Sequence, residues 1–247
     1  MPRFHFHKTV TSALQTVTRL ARSSPYYAEL RVPITRAEAV SDKLARRFPT
    51  IYATHTTRTA LRKAKVPALH LVVMPPEVAK GEVVMLLLSN LIPENSGETW
   101  RLCLDPEQPL IWRNYELTKL EDGRITWKLS EVAERHYRRR LTRLITGRGG
   151  LTPKGKRPYQ LPDATADQQV LLLARHLNHY PGLAGVRRSV FALAQHSTRM
   201  WKATRPHHTY PTWPTMPYVR LSSAQIAPLS ELQEFTHAQK KDQSKKP

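Results

Sequence analysis

Nine cations and no carboxylate fall between residues 135 and 157: Arg135, Arg138, Arg139, Arg140, Arg143, Arg148, Lys154, Lys156 and Arg157. Charges of one sign at this density repel one another until an anion joins them, and the planar guanidinium is shaped to pair with phosphate oxygens. His136 and Tyr137 sit inside the same run. In metal-independent RNA cleavage a histidine or tyrosine takes the 2′-hydroxyl proton while arginine or lysine stabilises the pentacovalent phosphorane. His136 and Tyr137 are therefore the candidate catalytic residues, with Arg140 beside them and His176 as a second candidate base. Binding without chemistry needs only the cations. A nucleic-acid-binding protein is accordingly the first expectation, a metal-independent endoribonuclease acting on a structured RNA is the alternative, and an assembly subunit of a nucleoprotein complex is a third reading.

Other chemistries find less support. The eleven histidines include the pairs His5/His7, His176/His179 and His207/His208, but a zinc site requires three or four ligands in fixed geometry, and the chain has no HExxH motif and a single cysteine, Cys103. No metal and no cofactor is expected. Two-metal phosphoryl transfer needs converging carboxylates. Asp105/Glu107, Glu121/Asp122, Glu131/Glu134 and Asp163/Asp167 read instead as turn residues, helix-start charges or caps. Gly147-Arg148-Gly149-Gly150 follows a helical pattern where a phosphate-cradling loop would open one.

The whole chain has the charge of a polyanion binder. Lys and Arg total 39 against 19 Asp and Glu, a net charge of +20 with pI about 10.5, which points to phosphate-rich partners. Arginine forks and the aromatics Tyr26, Tyr27, Tyr52, Trp112, Trp127 and Tyr137 favour RNA or single strands, whose unpaired bases stack, over duplex DNA. Arg187, Arg188 and the cations between Lys43 and Arg62 extend the expected footprint. No helix-turn-helix, zinc-finger or RNP-type pattern is present. No apolar run approaches the roughly 20 residues that span a bilayer, so no membrane partner is expected. The opening MPRFHFHK lacks an apolar segment and cleavage site behind it, and the expected location is cytoplasmic.

The elements that must position these residues follow from periodicity. Val132, Ala133, Tyr137, Leu141, Leu144 and Ile145 form one stripe of a helix opening at Ser130, leaving the arginines on its other side. Ahead of it, segments 110–120 and 124–129 read as strands joined through Asp122-Gly123, a strong hairpin signal. The predicted fold is α+β, in five parts: a basic helical region over 1–65, an α+β core over 66–146, a basic Gly/Pro linker over 147–162, a helical hairpin with a proline-rich strap over 163–221, and a mostly disordered tail over 222–247. Within these, residues 77–91 are expected to be helical. Thr35/Glu38 and Thr165/Gln168 have the form of capping boxes. In the strap, proline at every third residue would align Tyr210, Trp213 and Met216 on one polyproline ridge covering a core groove.

Overall fold

The computed structural model of the protein describes residues 4–94, 96–147, 161–219 and 224–244. In chain order the elements are β1 (His5–His7), α1 (Val10–Ala21), β2 (Tyr26–Pro33), α2 (Ala37–Arg47), α3 (His55–Lys63), β3 (Leu69–Val73), β4 (Glu82–Ser89), β5 (Arg101–Leu102), β6 (Ile111–Trp112), β7 (Tyr115–Lys119), β8 (Ile125–Leu129), α4 (Glu131–Thr146), α5 (Asp163–Asn178), α6 (Ala184–Thr204), β9 (Ile226–Pro228) and α7 (Leu232–Ser244). The fold mixes α and β, as expected. It divides into two units, Met1–Leu110 with Leu221–Pro247, and Ile111–Arg220.

The first unit is built on a six-stranded sheet in the order β5-β2-β4-β3-β1-β9. Its centre is β4, paired antiparallel with β2 from Tyr26↔Ser89 to Pro33↔Glu82 and with β3 from Leu69↔Ser89 to Val73↔Met85. The helix expected over 77–91 is thus a strand. A run that is apolar at every position suits a strand covered on both faces as well as a buried helix, and Val83 and Val84 favour the strand. Residues 83–88 are all buried. On one face Val83, Met85 and Leu87 join Phe6, Val32, Leu69 and Val73 beneath Leu44 and Phe48 and the carboxy-terminal Leu229 and Leu232.

Three further expectations for this unit are corrected. The amino-terminal part is not helical throughout, because 26–33 is the full-length neighbour of β4. Residues 226–244 are ordered: β9 pairs antiparallel with β1 through His5↔Pro228, Phe6↔Ala227 and His7↔Ile226, and α7 buries Leu232 and Thr236. The short stripe Leu229, Leu232, Phe235 anchors a tail whose composition is otherwise polar. Finally, Thr35 makes no capping box, since Ile34–Arg36 is a 3-10 turn and Arg36 stands at the N-cap of α2 without a side-chain cap bond.

The second unit begins with the antiparallel sheet β6-β7-β8. Gly123, at φ 82°, makes the hairpin turn, and Asp122 Oδ1 accepts from the Arg124 amide at 3.0 Å. Strand β8 runs straight into α4 through Ser130, and α6 packs on β8 so closely that a Cβ on Gly185 would lie 2.4 Å from the Trp127 carbonyl oxygen. Helix α5 starts at Asp163 behind Pro162, with no cap bond, so Thr165 lies inside it and the second capping box is also absent.

The proline-rich strap packs as expected. Tyr210 and Trp213 lie against Ile145, Ala166, Val170 and Trp201, Met216 is buried, and Asn178 Nδ2 donates to the Pro214 carbonyl at 3.1 Å. Arg205 fastens the start of α5 to the ends of α4 and α6. Its buried guanidinium donates to the Ile145 carbonyl at 3.1 Å and the Leu161 carbonyl at 2.7 Å, pairs with Asp163, and lies over the Trp201 ring.

Candidate nucleic-acid interface

Helix α4 has both of its ends specified locally. Ser130 Oγ accepts from the Ala133 amide at 3.3 Å, Glu131 and Glu134 place negative charge on the first turn, and Gly147 closes the helix in the left-handed region at φ 68°. Ala133, Tyr137, Leu141 and Ile145 are buried along one side. Arg135, His136, Arg139, Arg140 and Arg143 are exposed on the other.

These arginines are not equivalent. Arg135 pairs with Glu131 and Arg138 with Glu134, the latter at 2.8 Å, both one turn apart along the helix. Arg139, Arg140 and Arg143 form no ion pair among the described residues. A phosphate reaching Arg135 or Arg138 must compete with a carboxylate already there, whereas at the other three it competes only with water. Arg187 lies over the Tyr218 ring at 5.2 Å, and Arg188 is close enough to the turn at Asp122 to help hold that carboxyl below the usual range, behind the larger effect of Arg124. Arg148, Lys154, Lys156 and Arg157 lie outside the described residues.

The two candidate catalytic residues meet edge to face, with ring centroids 5.5 Å apart, but differ in exposure. His136 is exposed among the arginines. Tyr137 is buried, and its hydroxyl is shared with His176 Nε2 at 3.1 Å and the Tyr180 hydroxyl at 2.7 Å, which in turn accepts from Asn114 at 2.9 Å. Burial and the bond to Tyr180 hold the Tyr137 phenol well above its ordinary range, so it remains protonated near neutrality. It is therefore a structural hydrogen-bonding group joining α4 to α5, and His176, the second candidate base, has its Nε2 engaged there. The stacking candidates sort the same way. Tyr27, Trp112, Trp127 and Tyr137 are buried, while Tyr52 is 41% exposed.

A second polar site, not anticipated from the sequence, lies in the first unit. A cleft of about 730 Å³ is lined by His5, His7, Arg19, Tyr52, His55, Arg58, Arg62 and His70, with no carboxylate on its walls. Arg58 is held rigidly, donating through Nε to the Leu69 carbonyl at 3.1 Å and through the guanidinium to the Ile51 carbonyl at 2.6 Å, and Arg62 Nε donates to the Arg58 carbonyl. Ser12 Oγ accepts from the Gln225 amide at 3.0 Å and lies 2.7 Å from His7 Nδ1.

Burial followed by Arg19 pushes the His7 pKa down to about 4; burial followed by Arg58, Arg62, Arg19 and His55 does the same to His70. The sequence signalled this cleft only in pieces, as the pair His5/His7, Tyr52 among the stacking aromatics, and Arg58 and Arg62 among the cations between Lys43 and Arg62, with nothing to join them to Arg19 and His70. Among the described residues no group of three or more His, Cys, Asp or Glu is placed to hold a metal, and no helix is long and apolar enough to cross a membrane. No protein-family model, no curated protein and no solved structure matches the chain.

Proposed function

We propose that the protein binds nucleic acid, RNA or single strands in preference to duplex DNA, as part of a nucleoprotein complex. The observation that carries this reading is the exposed face of α4, where Arg139, Arg140 and Arg143 stand beside Arg135 and His136 without a carboxylate of their own. Such a face is electrostatically incomplete. Phosphates spaced along a strand complete it, and each contact releases condensed counterions, so affinity falls steeply with salt. The overall charge of +20 supplies long-range attraction to the same class of ligand.

The test is direct binding of the full chain to a labelled single-stranded RNA, the matching DNA strand and the duplex, at about 50 mM salt where phosphate contacts are strong. Binding that is tightest for the single strands and weakens with added salt is expected. Absence of binding to all three sinks the proposal. Running each equilibrium mixture on a denaturing gel reports in the same experiment whether the RNA strand stays whole.

A further inference from the structure

The cleft of the first unit combines features that the α4 face lacks: depth, rigidly held arginines and an aromatic wall. We propose that it is a nucleotide site, in which Arg19, Arg58 and Arg62 hold a phosphate group and the stacked rings of Phe4 and Tyr52 receive the base beside it. This inference draws on no residue of α4 and goes beyond the general binding proposed above.

The chemistry of the walls selects the ligand. Three guanidinium groups and four imidazoles face a common space with no acidic residue among them, so a cation is repelled and an anion is welcomed. Arg58 and Arg62 lie one turn apart on α3 and act on each other unfavourably, with burial as the larger burden on Arg58 and Arg62 as the second. A bound anion offsets both. With Nε and part of its guanidinium already committed to the Leu69 and Ile51 carbonyls, Arg58 presents its remaining N–H groups in a fixed direction, which lowers the entropy lost on binding. His7 adds a neutral imidazole to the same wall.

The aromatic wall distinguishes a nucleotide from a bare anion. Phe4 and Tyr52 stack with centroids 5.2 Å apart and planes inclined by 26°, and both line the cleft. Tyr52 keeps 41% of its surface exposed, which leaves ring surface that a second flat, apolar partner can cover. A nucleobase does so, and stacking of this kind is indifferent to which base is present. The cleft volume lies within the range of small-molecule sites, roughly 300–1,000 Å³.

The same chemistry serves a free nucleotide and one nucleotide of a strand, and titration calorimetry on the full chain separates them. The probes are inorganic phosphate, uridine 5′-monophosphate and a uridine tetranucleotide, applied to the protein carrying Arg139→Ala, Arg140→Ala and Arg143→Ala so that α4 does not contribute. The expected result is binding of all three, weakened at least about tenfold by Arg19→Ala or Arg62→Ala, in line with loss of one charge-assisted phosphate contact. Tyr52→Ala should weaken the two nucleotides and leave inorganic phosphate unchanged. Tighter binding of the tetranucleotide than of the monophosphate identifies the strand as the source; the reverse identifies the free nucleotide. Arg19 is exposed, so its substitution leaves the fold intact and keeps the test interpretable. No binding of any probe at millimolar concentration, or binding indifferent to both arginine substitutions, overturns the proposal. Failure of the α4 variants to affect RNA binding in the parent protein is a separate outcome that bears only on α4.

Discussion

The division of the α4 arginines into paired and unpaired sets leads to a quantitative expectation. For single strands the salt slope of binding changes by about 0.7 for each phosphate contact. Replacing Arg139, Arg140 and Arg143 with alanine removes three cations that have no carboxylate partner, so the slope should become shallower by about 2. Propagated from 1 M salt, where counterion release contributes nothing, to 50 mM, that slope corresponds to an affinity loss of about 10²–10³-fold at the lower salt. The companion variant removes both ion pairs whole, through E131A, R135A, E134A and R138A, and leaves the net charge as it was. Its slope should shift by less than about 0.7, the equivalent of one contact. Fluorescence anisotropy of a labelled RNA of about 20 nucleotides, titrated between 50 and 300 mM salt, measures both. Circular dichroism establishes that the helix persists, which matters because the companion variant also loses favourable charge at the helix start. Equal slopes for the parent and the triple variant, with helicity retained, would refute the reasoning.

Three further expectations concern stability and reactivity. Asp163→Ala leaves the buried Arg205 guanidinium without its counter-charge, and about 3–5 kcal/mol of stability in the second unit should be lost, read as a lowered urea midpoint. His7 and His70 are held neutral with pKa values pushed down to about 4, below the ordinary 6.5, so the unfolded chain binds more protons than the folded one between those values. The first unit should therefore keep its full stability above about pH 6.5 and lose it progressively toward pH 4. His70→Asn should flatten that dependence, and denaturant midpoints at pH 7.5, 6 and 4.5 provide the check. Burial raises the Cys103 thiol to about 12, so it should resist a thiol reagent at pH 8 in the native protein and react on unfolding; rapid native labelling would contradict its place in the core.

What could be read from the sequence was what neighbouring residues decide among themselves. Ser130, Glu131, Glu134 and Gly147 delimit α4 from within a single stretch, and Asp122-Gly123 fixes a hairpin between adjacent strands. The proline tract is similarly self-announcing, since its repeat puts Tyr210, Trp213 and Met216 on one ridge. The identity of residues 82–89 depended instead on distant partners. Only pairing with 26–33 and 69–73 makes the apolar run a strand, and those neighbours are not signalled by its own pattern. Residues 226–228 likewise became a strand because His5–His7 offers an edge more than two hundred residues earlier. At the candidate site, spacing exposed the cationic side of α4 but wrongly placed Val132, which is 75% exposed, on the buried stripe, and it could not separate Arg135 and Arg138, which face carboxylates, from Arg139, Arg140 and Arg143. It also brought Tyr137 forward as a chemical group, although its place on the apolar stripe already implied burial. The cleft in the first unit was harder still to read, because Arg19, Tyr52, Arg62 and His70 converge only when the sheet has formed.

The pairing of β1 with β9 has a consequence for how the chain is made. The ribosome delivers His5–His7 more than two hundred residues before Ile226–Pro228, with all of residues 111–220 emerging between them. The second unit is continuous in sequence and has every one of its strands and helices available before the first unit receives its closing strand. Domains usually complete in the order of synthesis; here the interior segment can finish while the outer one waits with an unpaired edge at β1. Until β9 arrives, the backbone groups of His5–His7 on that side are open to any extended chain nearby, and Ser12 lacks the Gln225 amide that occupies its hydroxyl in the finished protein. The cleft of the first unit, which Ala224 and Ile226 help to line, is thus completed only after the second unit has emerged, so a nascent chain acquires its α4 face before that cleft can close around a ligand.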